Sequence, residues 1–528
     1  MRYLLTLLVT ASLSAAPTYV LDSEGRALLT LDTEKGTVIA RTALPHFPTE
    51  ILQSPDGTKL VVLADSKSTS SAVIVDAKTL AVGPRVELGA GLGEAAFTSD
   101  GKAVVVLVPK SGSLVKIDLA EGKEVKRVVL GKSAETFGVA RDGVTGVVYT
   151  KKPVQVTFVS LDTLEAPVTV ALPGKSGAPV SIPGSDSLYF LDAAKRDANL
   201  LHVVSIPERK LVASLPLGGY ALMGGMHPES GRLFVLSDGQ KKGTLHVVKG
   251  AAMAAAIDVP DDPAIFRMTA DARRGYVTAR SAVSVVDLVD EKALGEVAQY
   301  SGFGSGMFLP FEFLATPDGK RGFHYFRTGD QCCTLNVVDL ENRKTLEDFQ
   351  TGSKGERIAA ALGAVAMSIE SYQSGKAAAK ANGKSTFWYT LYKPAGSGAP
   401  RGSFALRPDG AMLYALDTGT DDVTAVDVQT GARVANIDAA SGVKELIMLG
   451  PLLMVAADEG LAFIDTAKFE VSETLKLKGD LKDVAFSDDG KVAVAVSRGE
   501  VTILDAEHGK VAARVQDVKM PVRVLFGR

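Results

Sequence analysis

The stretch RPDGAMLYALDTGTDDVTAVDVQTGARVANI, residues 407–437, decides the fold of this chain. It contains a polar Asp-Gly turn, an apolar run, a second apolar run that ends in Asp427, a short turn and a third run. β-Branched and aromatic residues fill the runs and turn residues bound them, which is typical of short β-strands. Asp-Gly favours a tight hairpin because it tolerates positive φ angles. The stretch therefore predicts antiparallel strands joined by tight turns.

The same pattern returns along the chain with a period of about 40 residues, as in 53–83, 98–131 and 487–515. Asp427 follows the preceding copy, Asp339, by 88 residues, so a degenerate unit is predicted within 354–402 and the total becomes twelve. Such a period with several strands per unit is typical of β-propeller blades. The fold class is thus all-β, with about twelve four-stranded blades. The residue that ends the second strand of the motif, or its replacement, is Asp32, Asp76, Asp118, Asp162, Pro207, Val248, Asp287, Asp339, Asp427, Asp465 and Asp505.

Twelve blades exceed the usual four to eight of one ring, so two propellers on one chain are expected. Residues 17–300 would form the first with about seven blades, 301–309 a glycine-rich linker, and 310–528 the second with about five. A division into six and six is the alternative. The N-terminal repeat lacks an opening strand, and PVRVLFGR at 521–528 supplies one. We therefore expect the C-terminal strand to close a ring by joining the N-terminal strands in one blade.

The first sixteen residues predict a secretory signal peptide, with Arg2 before an apolar run and small residues at a cleavage site. A periplasmic or secreted protein is expected, without membrane insertion because no later apolar run is long enough. The chain has 58 basic and 61 acidic residues, which are interleaved and give a net charge of −3. This balance argues against nucleic acid as a partner. The oligomeric state stays open.

The repeat resembles the YVTN-type family of secreted β-propellers, within the group that includes quinoprotein amine dehydrogenase heavy-chain-like propellers. The resemblance rests on the pattern SPDGxxLxV…VxVxDxxTxxVxxxIxLG, best preserved at 54–89, 99–131, 407–437 and 487–515. It implies the propeller fold and a binding or surface role, and it does not supply a reaction.

Two groups of residues are candidates for sulfur chemistry. Cys332 and Cys333 are adjacent, and in an oxidising compartment they could close a vicinal disulfide that clamps a turn. Two free thiols, or a redox or metal role, are the alternatives. Met223, Met226 and His227 carry soft ligands suited to copper(I), with ordinary core packing as the alternative.

The segment 354–402 departs from the repeat and is predicted to be an irregular insertion. Phe387, Trp388, Tyr389 and Tyr392 form an aromatic cluster within it. Insertions in repeat proteins commonly mark a binding face, so this cluster could line a partner surface. The alternative is that these alternating strand residues fill a core.

The sequence contains neither a GxSxG elbow nor a GxxxxGK[ST] loop. We therefore expect an extracytoplasmic binding or scaffold protein that presents loops to a protein or polymer partner, without a cofactor. Whether it is an enzyme stays open, and a non-enzyme is favoured. The alternatives are an enzyme with its site in the central channel, either a metal-dependent lactonase-like hydrolase or a quinone-dependent dehydrogenase, or a metal- or redox-linked binding protein. The alternative to the absence of a cofactor is a divalent metal or copper.

Overall fold

A computed structural model describes residues 17–527 except for short gaps and one long one. The gaps are 66–68, 132, 175, 177–179, 182–185, 193–198, 228–229, 240–241, 270–272, 280–281, 299–307, 329–330, 351–400, 403, 418–419, 459, 480 and 488. Every regular element in the described residues is a β-strand. The described residues accordingly contain no helix that could cross a membrane.

The described strands form eleven antiparallel sheets, numbered here in chain order. Sheet 1 combines β1 (Thr18–Asp22), β2 (Ala27–Asp32) and β3 (Thr37–Ala43) with β45 (Pro521–Phe526). Sheet 2 is β4 (Glu50–Gln53), β5 (Lys59–Asp65), β6 (Ser70–Asp76) and β7 (Val82–Gly89); sheet 3 is β8 (Ala95–Phe97), β9 (Ala103–Val108), β10 (Ser113–Asp118) and β11 (Lys123–Val129). Sheet 4 is β12 (Ala134–Val139), β13 (Thr145–Lys151), β14 (Val154–Ser160) and β15 (Val168–Ala171); sheet 5 is β16 (Val180–Ser181), β17 (Ser187–Asp192), β18 (Asn199–Ser205) and β19 (Lys210–Gly218).

The remaining sheets follow the same plan. Sheet 6 is β20 (Tyr220–His227), β21 (Arg232–Asp238), β22 (Gly243–Lys249) and β23 (Ala252–Val259); sheet 7 is β24 (Pro263–Met268), β25 (Arg274–Ala279), β26 (Ala282–Asp287) and β27 (Lys292–Ala298). Sheet 8 is β28 (Phe308–Ala315), β29 (Arg321–Thr328), β30 (Gln331–Asp339) and β31 (Lys344–Gln350); sheet 9 is β33 (Phe404–Leu406), β34 (Met412–Asp417), β35 (Asp422–Asp427) and β36 (Arg433–Asp438). Sheet 10 is β37 (Val443–Leu449), β38 (Leu452–Ala457), β39 (Gly460–Asp465) and β40 (Glu470–Lys476), to which β32 (Arg401–Gly402) adds a short fifth strand; sheet 11 is β41 (Leu481–Phe486), β42 (Val492–Ser497), β43 (Glu500–Asp505) and β44 (Lys510–Val515).

Burial varies regularly across each sheet. The second and third strands are the most buried, as in β9, where every residue is buried. These strands pack between neighbouring sheets on both faces, which explains why their sequences are continuous apolar runs. The fourth strands, such as β11, are largely exposed. First strands of neighbouring sheets lie beside one another, as β24 does beside β28. The first strands therefore face the centre of the ring and the fourth strands its rim.

A buried apolar cluster fills each space between successive sheets. Between sheets 2 and 3, for example, Val61 and Ile74 pack with Val104 and Val115. The described residues form eleven such clusters, and one of them joins sheet 11 to sheet 1. The protein is therefore a β-propeller of eleven four-stranded blades in a ring, and the predicted fold class is confirmed.

The blade count and the number of rings differ from the prediction. Phe323 of sheet 8 and Phe404 of sheet 9 share one cluster, so no blade separates these sheets, and 351–400 lies outside the described residues. Tyr276 of sheet 7 and Phe313 of sheet 8 also share a cluster, across the point where two rings were expected to divide. One ring thus stands where the sequence predicted two. The error arose because a spacing of two periods fits an inserted segment as well as a hidden blade.

The turn after each third strand explains most of the repeated aspartates. In sheet 9 the Asp427 carboxylate accepts the backbone N–H of Thr430 at 2.7 Å, and this bond lowers the pKa of Asp427. A side chain at the end of the third strand accepts the N–H three residues later in the same way at Asp32, Asp76, Asp118, Asp287, Asp339, Asp465 and Asp505. The predicted structural role of these residues is confirmed.

Three positions of that predicted series need correction. In sheet 4, Ser160 rather than Asp162 accepts the N–H three residues later, at 3.3 Å. In sheet 5, Ser205 rather than Pro207 does so at 3.2 Å. In sheet 6 the third strand ends at Lys249, one residue after Val248. A serine hydroxyl can replace the carboxylate in such a turn, and a search for aspartate overlooks it.

Candidate functional site

The two faces of the ring differ in how their loops are built. In an antiparallel four-stranded sheet, the loops between strands one and two and between strands three and four emerge on one face. We call it the turn face, because it carries the repeated aspartate turns. The loops between strands two and three, and those joining successive sheets, emerge on the other face, the loop face. One of these loops is Lys152-Pro153, between β13 and β14.

Both ends of the described chain meet in sheet 1. β1 pairs antiparallel with β45, with Thr18 opposite Phe526 and Val20 opposite Val524. At the loop face the pairing continues, because the N–H of Ser23 donates to the carbonyl of Met520 at 2.8 Å. β45 therefore lies in one sheet with β1, β2 and β3.

A buried carboxylate stabilises the pairing of β1 with β45. We call these two strands, together with Asp22, the chain joint. The Asp22 side chain is fully buried. Its Oδ1 accepts the N–H of Met520 at 2.9 Å and that of Gly25 at 3.0 Å. Its Oδ2 accepts the N–H of Lys519 at 3.1 Å and Arg41 Nη2 at 2.9 Å. Four donors compensate the burial of this charge, so one side chain joins β1 to β3, to the loop that follows β1 and to the loop that precedes β45.

The turn around this carboxylate has little room. A Cβ atom on Gly25 would lie 2.0 Å from Asp22 Oδ2. Glycine is therefore required at this position, and the loop that follows β1 is held close to the chain joint.

An exposed aromatic side chain lies beside the chain joint, in the loop that leads from sheet 1 to sheet 2. Phe47 is 47% exposed, and the Arg26 guanidinium carbon lies 4.2 Å from its ring centroid. Phe47 is the single aromatic residue among the exposed large apolar side chains of the described residues. Aromatic residues and arginine are both enriched at protein–protein interfaces relative to the rest of the surface.

The neighbouring histidine anchors this loop. His46 is buried, and its Nδ1 lies 2.6 Å from Ser71 Oγ in sheet 2. Burial, aided by the positive charge of Arg85, lowers the pKa of His46 to about 4, so the ring is neutral near pH 7. Leu44 is buried on the other side of the loop. Phe47 is therefore presented from a fixed backbone.

The residues predicted to bind copper lie on one strand, β20, but their side chains are only partly described. Met226 is buried in the cluster between sheets 5 and 6, as ordinary core packing requires. The side chains of Met223 and His227 lie outside the described residues. In the described part of the chain no three His, Cys, Asp or Glu residues are grouped so that they could hold a metal ion. Copper binding stays a prediction.

The other predicted site residues are untested. Cys332 and Cys333 lie at the beginning of β30, where the pairing with β29 shifts register between Phe326 and Thr328, and their side chains are not among those described. The aromatic cluster Phe387, Trp388, Tyr389 and Tyr392 lies outside the described residues.

Sequence reasoning missed a second set of aspartates, which end second strands at the loop face. Besides Asp22, they include Asp65, which accepts Ser70 Oγ at 2.7 Å, and Asp238, which accepts the N–H of Asp262 at 3.1 Å. The sequence could have indicated these aspartates, because each of them ends an apolar strand run: TYVLD, KLVVLAD and RLFVLSD.

No protein-family model matches the sequence, and no curated protein matches it either, so membership of the YVTN-type family stays a prediction. Among solved structures, the chain is similar to dihydro-heme d1 dehydrogenase NirN at 17% identity, covering 64% of this chain and 73% of that one with a TM-score of 0.33. Hydrazine synthase of Kuenenia stuttgartiensis is 16% identical over 58% of this chain and 96% of that one, with a TM-score of 0.30. A eukaryotic initiation factor is 12% identical over 80% and 96%, with a TM-score of 0.40. These similarities concern the fold alone.

Proposed function

We propose that the protein is an extracytoplasmic binding or scaffold protein that presents its loop face, at the chain joint, to a protein partner. The observation that carries this proposal is the exposed Phe47 ring stacked on Arg26, held on a backbone that His46 anchors. Side chains fixed before binding lose little conformational freedom when a partner arrives, so more of the contact energy appears as affinity.

The predicted signal peptide, residues 1–16, supports a location in the periplasm or outside the cell. We also propose that the pairing of β45 with β1 is what holds the ring closed. The Asp22 contacts support this, because they join residues that are 497 and 498 positions apart in the sequence. A partner bound at the chain joint would then contact a part of the loop face that the four bonds to Asp22 hold in place.

A site-specific photo-cross-linker tests the proposed function. A photoreactive phenylalanine analogue is placed at Phe47 in the protein expressed in its own host. The matched control carries the analogue at Val289, which is 64% exposed in a turn of the turn face. We expect a discrete adduct from position 47 that is missing from position 289. The same adducts from both positions, or none from position 47 in a folded protein, would contradict the proposal.

A further inference from the structure

A serine, a histidine and an aspartate lie together on sheet 5, apart from the chain joint. His202 lies on the third strand, β18, directly opposite Ser214 on the fourth strand, β19. The Ser214 Oγ atom lies 2.8 Å from His202 Nδ1. The other nitrogen of the imidazole, Nε2, lies 3.9 Å from Oδ2 of Asp192, which ends the second strand, β17. Nucleophilic hydrolases use these three residue types in this order.

The three residues differ in their access to solvent. Ser214 is exposed, because β19 is the outermost strand of sheet 5. His202 is fully buried and Asp192 is 8% exposed. A molecule in solution can therefore reach Ser214 from the rim of the ring, while the histidine and the carboxylate behind it are shielded from water.

Two other histidine–serine pairs among the described residues lack this access. His46 Nδ1 lies 2.6 Å from Ser71 Oγ, and His246 Nε2 lies 2.8 Å from Ser237 Oγ. Both of these serines are buried, with exposed fractions of 2% and 3%. A substrate cannot reach them, so these two pairs serve the packing between strands, and Ser214 differs from both.

The same position in other sheets carries a polar pair that joins the fourth strand to the third. In sheet 4 the hydroxyl oxygens of Thr157 and Thr169 lie 3.1 Å apart, and in sheet 9 Thr424 Oγ1 donates to Asn436 Oδ1 at 2.6 Å. Neither pair contains a group that takes up a proton near neutral pH. In sheet 5 a histidine and a serine fill the position, so the contact between the strands places a base next to a nucleophile.

The surroundings of His202 suit a general base. Burial lowers the pKa of His202, and the negative charge of Asp192 opposes this shift. The imidazole is therefore neutral near pH 7, and with its hydrogen on Nε2 it presents the Nδ1 lone pair to Ser214. The distance of 3.9 Å between Nε2 and Asp192 is longer than a hydrogen bond, and catalytic contacts of this kind tighten when a substrate binds.

Apolar side chains adjoin the serine on the side of sheet 4. Alternate residues of a strand share a face, so His202 faces the same space as Val204, which packs in the cluster between sheets 4 and 5. Val170 on β15 and Leu211 on β19 pack against this cluster and are only partly buried. Because β15 and β19 belong to the rim, these two side chains leave apolar surface beside Ser214.

We propose that Ser214, His202 and Asp192 form an esterase site at the rim of sheet 5, which hydrolyses carboxylic esters with a small apolar acyl group. Ser214 Oγ attacks the ester carbonyl carbon, and its proton passes to His202 Nδ1. The carbon–oxygen bond to the leaving group breaks, and the proton of His202 converts the alkoxide to an alcohol. Water then attacks the acyl group and gives a proton to His202. The bond from carbon to Oγ breaks, a carboxylic acid leaves and Ser214 regains the proton.

The backbone and the aspartate assist this reaction. β19 is a sheet edge, so alternate N–H groups along it point away from β18 and can donate to the developing oxyanion. Asp192 acts through His202 as a positioning residue and stabilises the imidazolium ion. Gly174 has φ +66°, and a Cβ atom there would lie 1.9 Å from Asp192 Oδ2, so this loop holds the carboxylate beside His202. The site goes beyond the proposed function, because Phe47 lies between sheets 1 and 2.

A fluorophosphonate probe, which reacts with activated serines, tests the site. The intact mass of the purified protein should show one adduct, and peptide mapping should locate it on Ser214. Ser214→Ala should abolish both the adduct and the hydrolysis of p-nitrophenyl butyrate. The matched control is Ser472→Ala. Ser472 is exposed on β40, the outermost strand of sheet 10, and its hydroxyl donates to the carbonyl of Phe463 at 3.0 Å instead of to a histidine. This control should react like the wild type.

Two further variants separate the roles of the base and the carboxylate. His202→Gln should lower the rate constant of labelling by at least about 100-fold, because a general base contributes that much. Asp192→Asn should lower the rate and move the pH midpoint of labelling to a lower pH, since the charge that raises the pKa of His202 is lost. Urea denaturation shows that the variants are folded.

Three results would overturn the proposal: no adduct on the wild type, an adduct on another residue, or labelling of His202→Gln at the wild-type rate. An unchanged pH midpoint in Asp192→Asn would contradict the role of the aspartate. The proposed function is judged separately, because photo-cross-linking at position 47 depends on neither the serine nor the histidine of sheet 5.

Discussion

Aspartates lie at strand ends on both the turn face and the loop face, but their roles differ. On the turn face one device recurs from sheet to sheet, as in Asp427, whose partially exposed carboxylate serves only its own turn. On the loop face each aspartate has different partners, and Asp22 is buried among groups from both ends of the chain. The contacts that recur in every blade are therefore those that the blade fold requires. The contacts found in a single blade, such as those of Asp22, are where this protein differs from other propellers.

The largest effect is expected from Asp22→Ala. It leaves Arg41 and three backbone N–H groups without their acceptor in a buried place, so the free energy of unfolding should fall by about 3–5 kcal/mol. Urea denaturation followed by circular dichroism measures the change. If Asp22→Ala costs no more than the same change at Asp427, the distinction between the two faces fails.

A smaller effect is expected from acid. Burial lowers the pKa of His46 and His324 to about 4, and it also lowers the pKa values of His202 and His246. These groups hold fewer protons when folded than when unfolded, where their pKa is about 6.5. Their contribution to stability is therefore complete above pH of about 6.5 and is lost progressively as the pH falls towards 4.

The urea midpoint measured across that interval checks this expectation. His46→Gln should flatten the pH dependence because it removes one of these buried groups. The turn aspartates act mainly below the interval, since their pKa values are lowered from 3.8. A midpoint that is constant between pH 7 and 4.5 would refute the role of the buried histidines.

The smallest effects are expected on the turn face itself. Asp427→Ala removes one turn acceptor and should cost about 1 kcal/mol. Asp162→Ala should stay within about 0.5 kcal/mol, because Ser160 holds the equivalent place in sheet 4. Urea denaturation of the two variants side by side shows whether Ser160 or Asp162 is the turn acceptor in sheet 4. A larger loss in the free energy of unfolding for Asp162→Ala than for Asp427→Ala would favour Asp162, as the sequence pattern had predicted.

The repeated parts of the molecule could be predicted because the strands and turns of each blade are specified by residues that are close together in the sequence. Strand runs such as KLVVLAD, and the turn at Asp427, need only residues a few positions apart. The blade count failed at the one spacing that a local pattern cannot interpret, the gap before Asp427. The role of Asp22 was out of reach because two of its partners, Lys519 and Met520, are almost the whole chain length away. Phe47 is one residue in one loop, and only its exposure and its contact with Arg26 distinguish it.

The central claim is that the loop face at the chain joint binds a partner and the turn face does not. Extending the photo-cross-linking to Arg26 and Arg498 on the loop face, and to Lys123 and Lys210 on the turn face, tests it most directly. We expect both loop-face positions to give the same partner adduct as position 47, and both turn-face positions to give none. Adducts with that partner from the turn face, or their absence at Arg26 and Arg498, would contradict it.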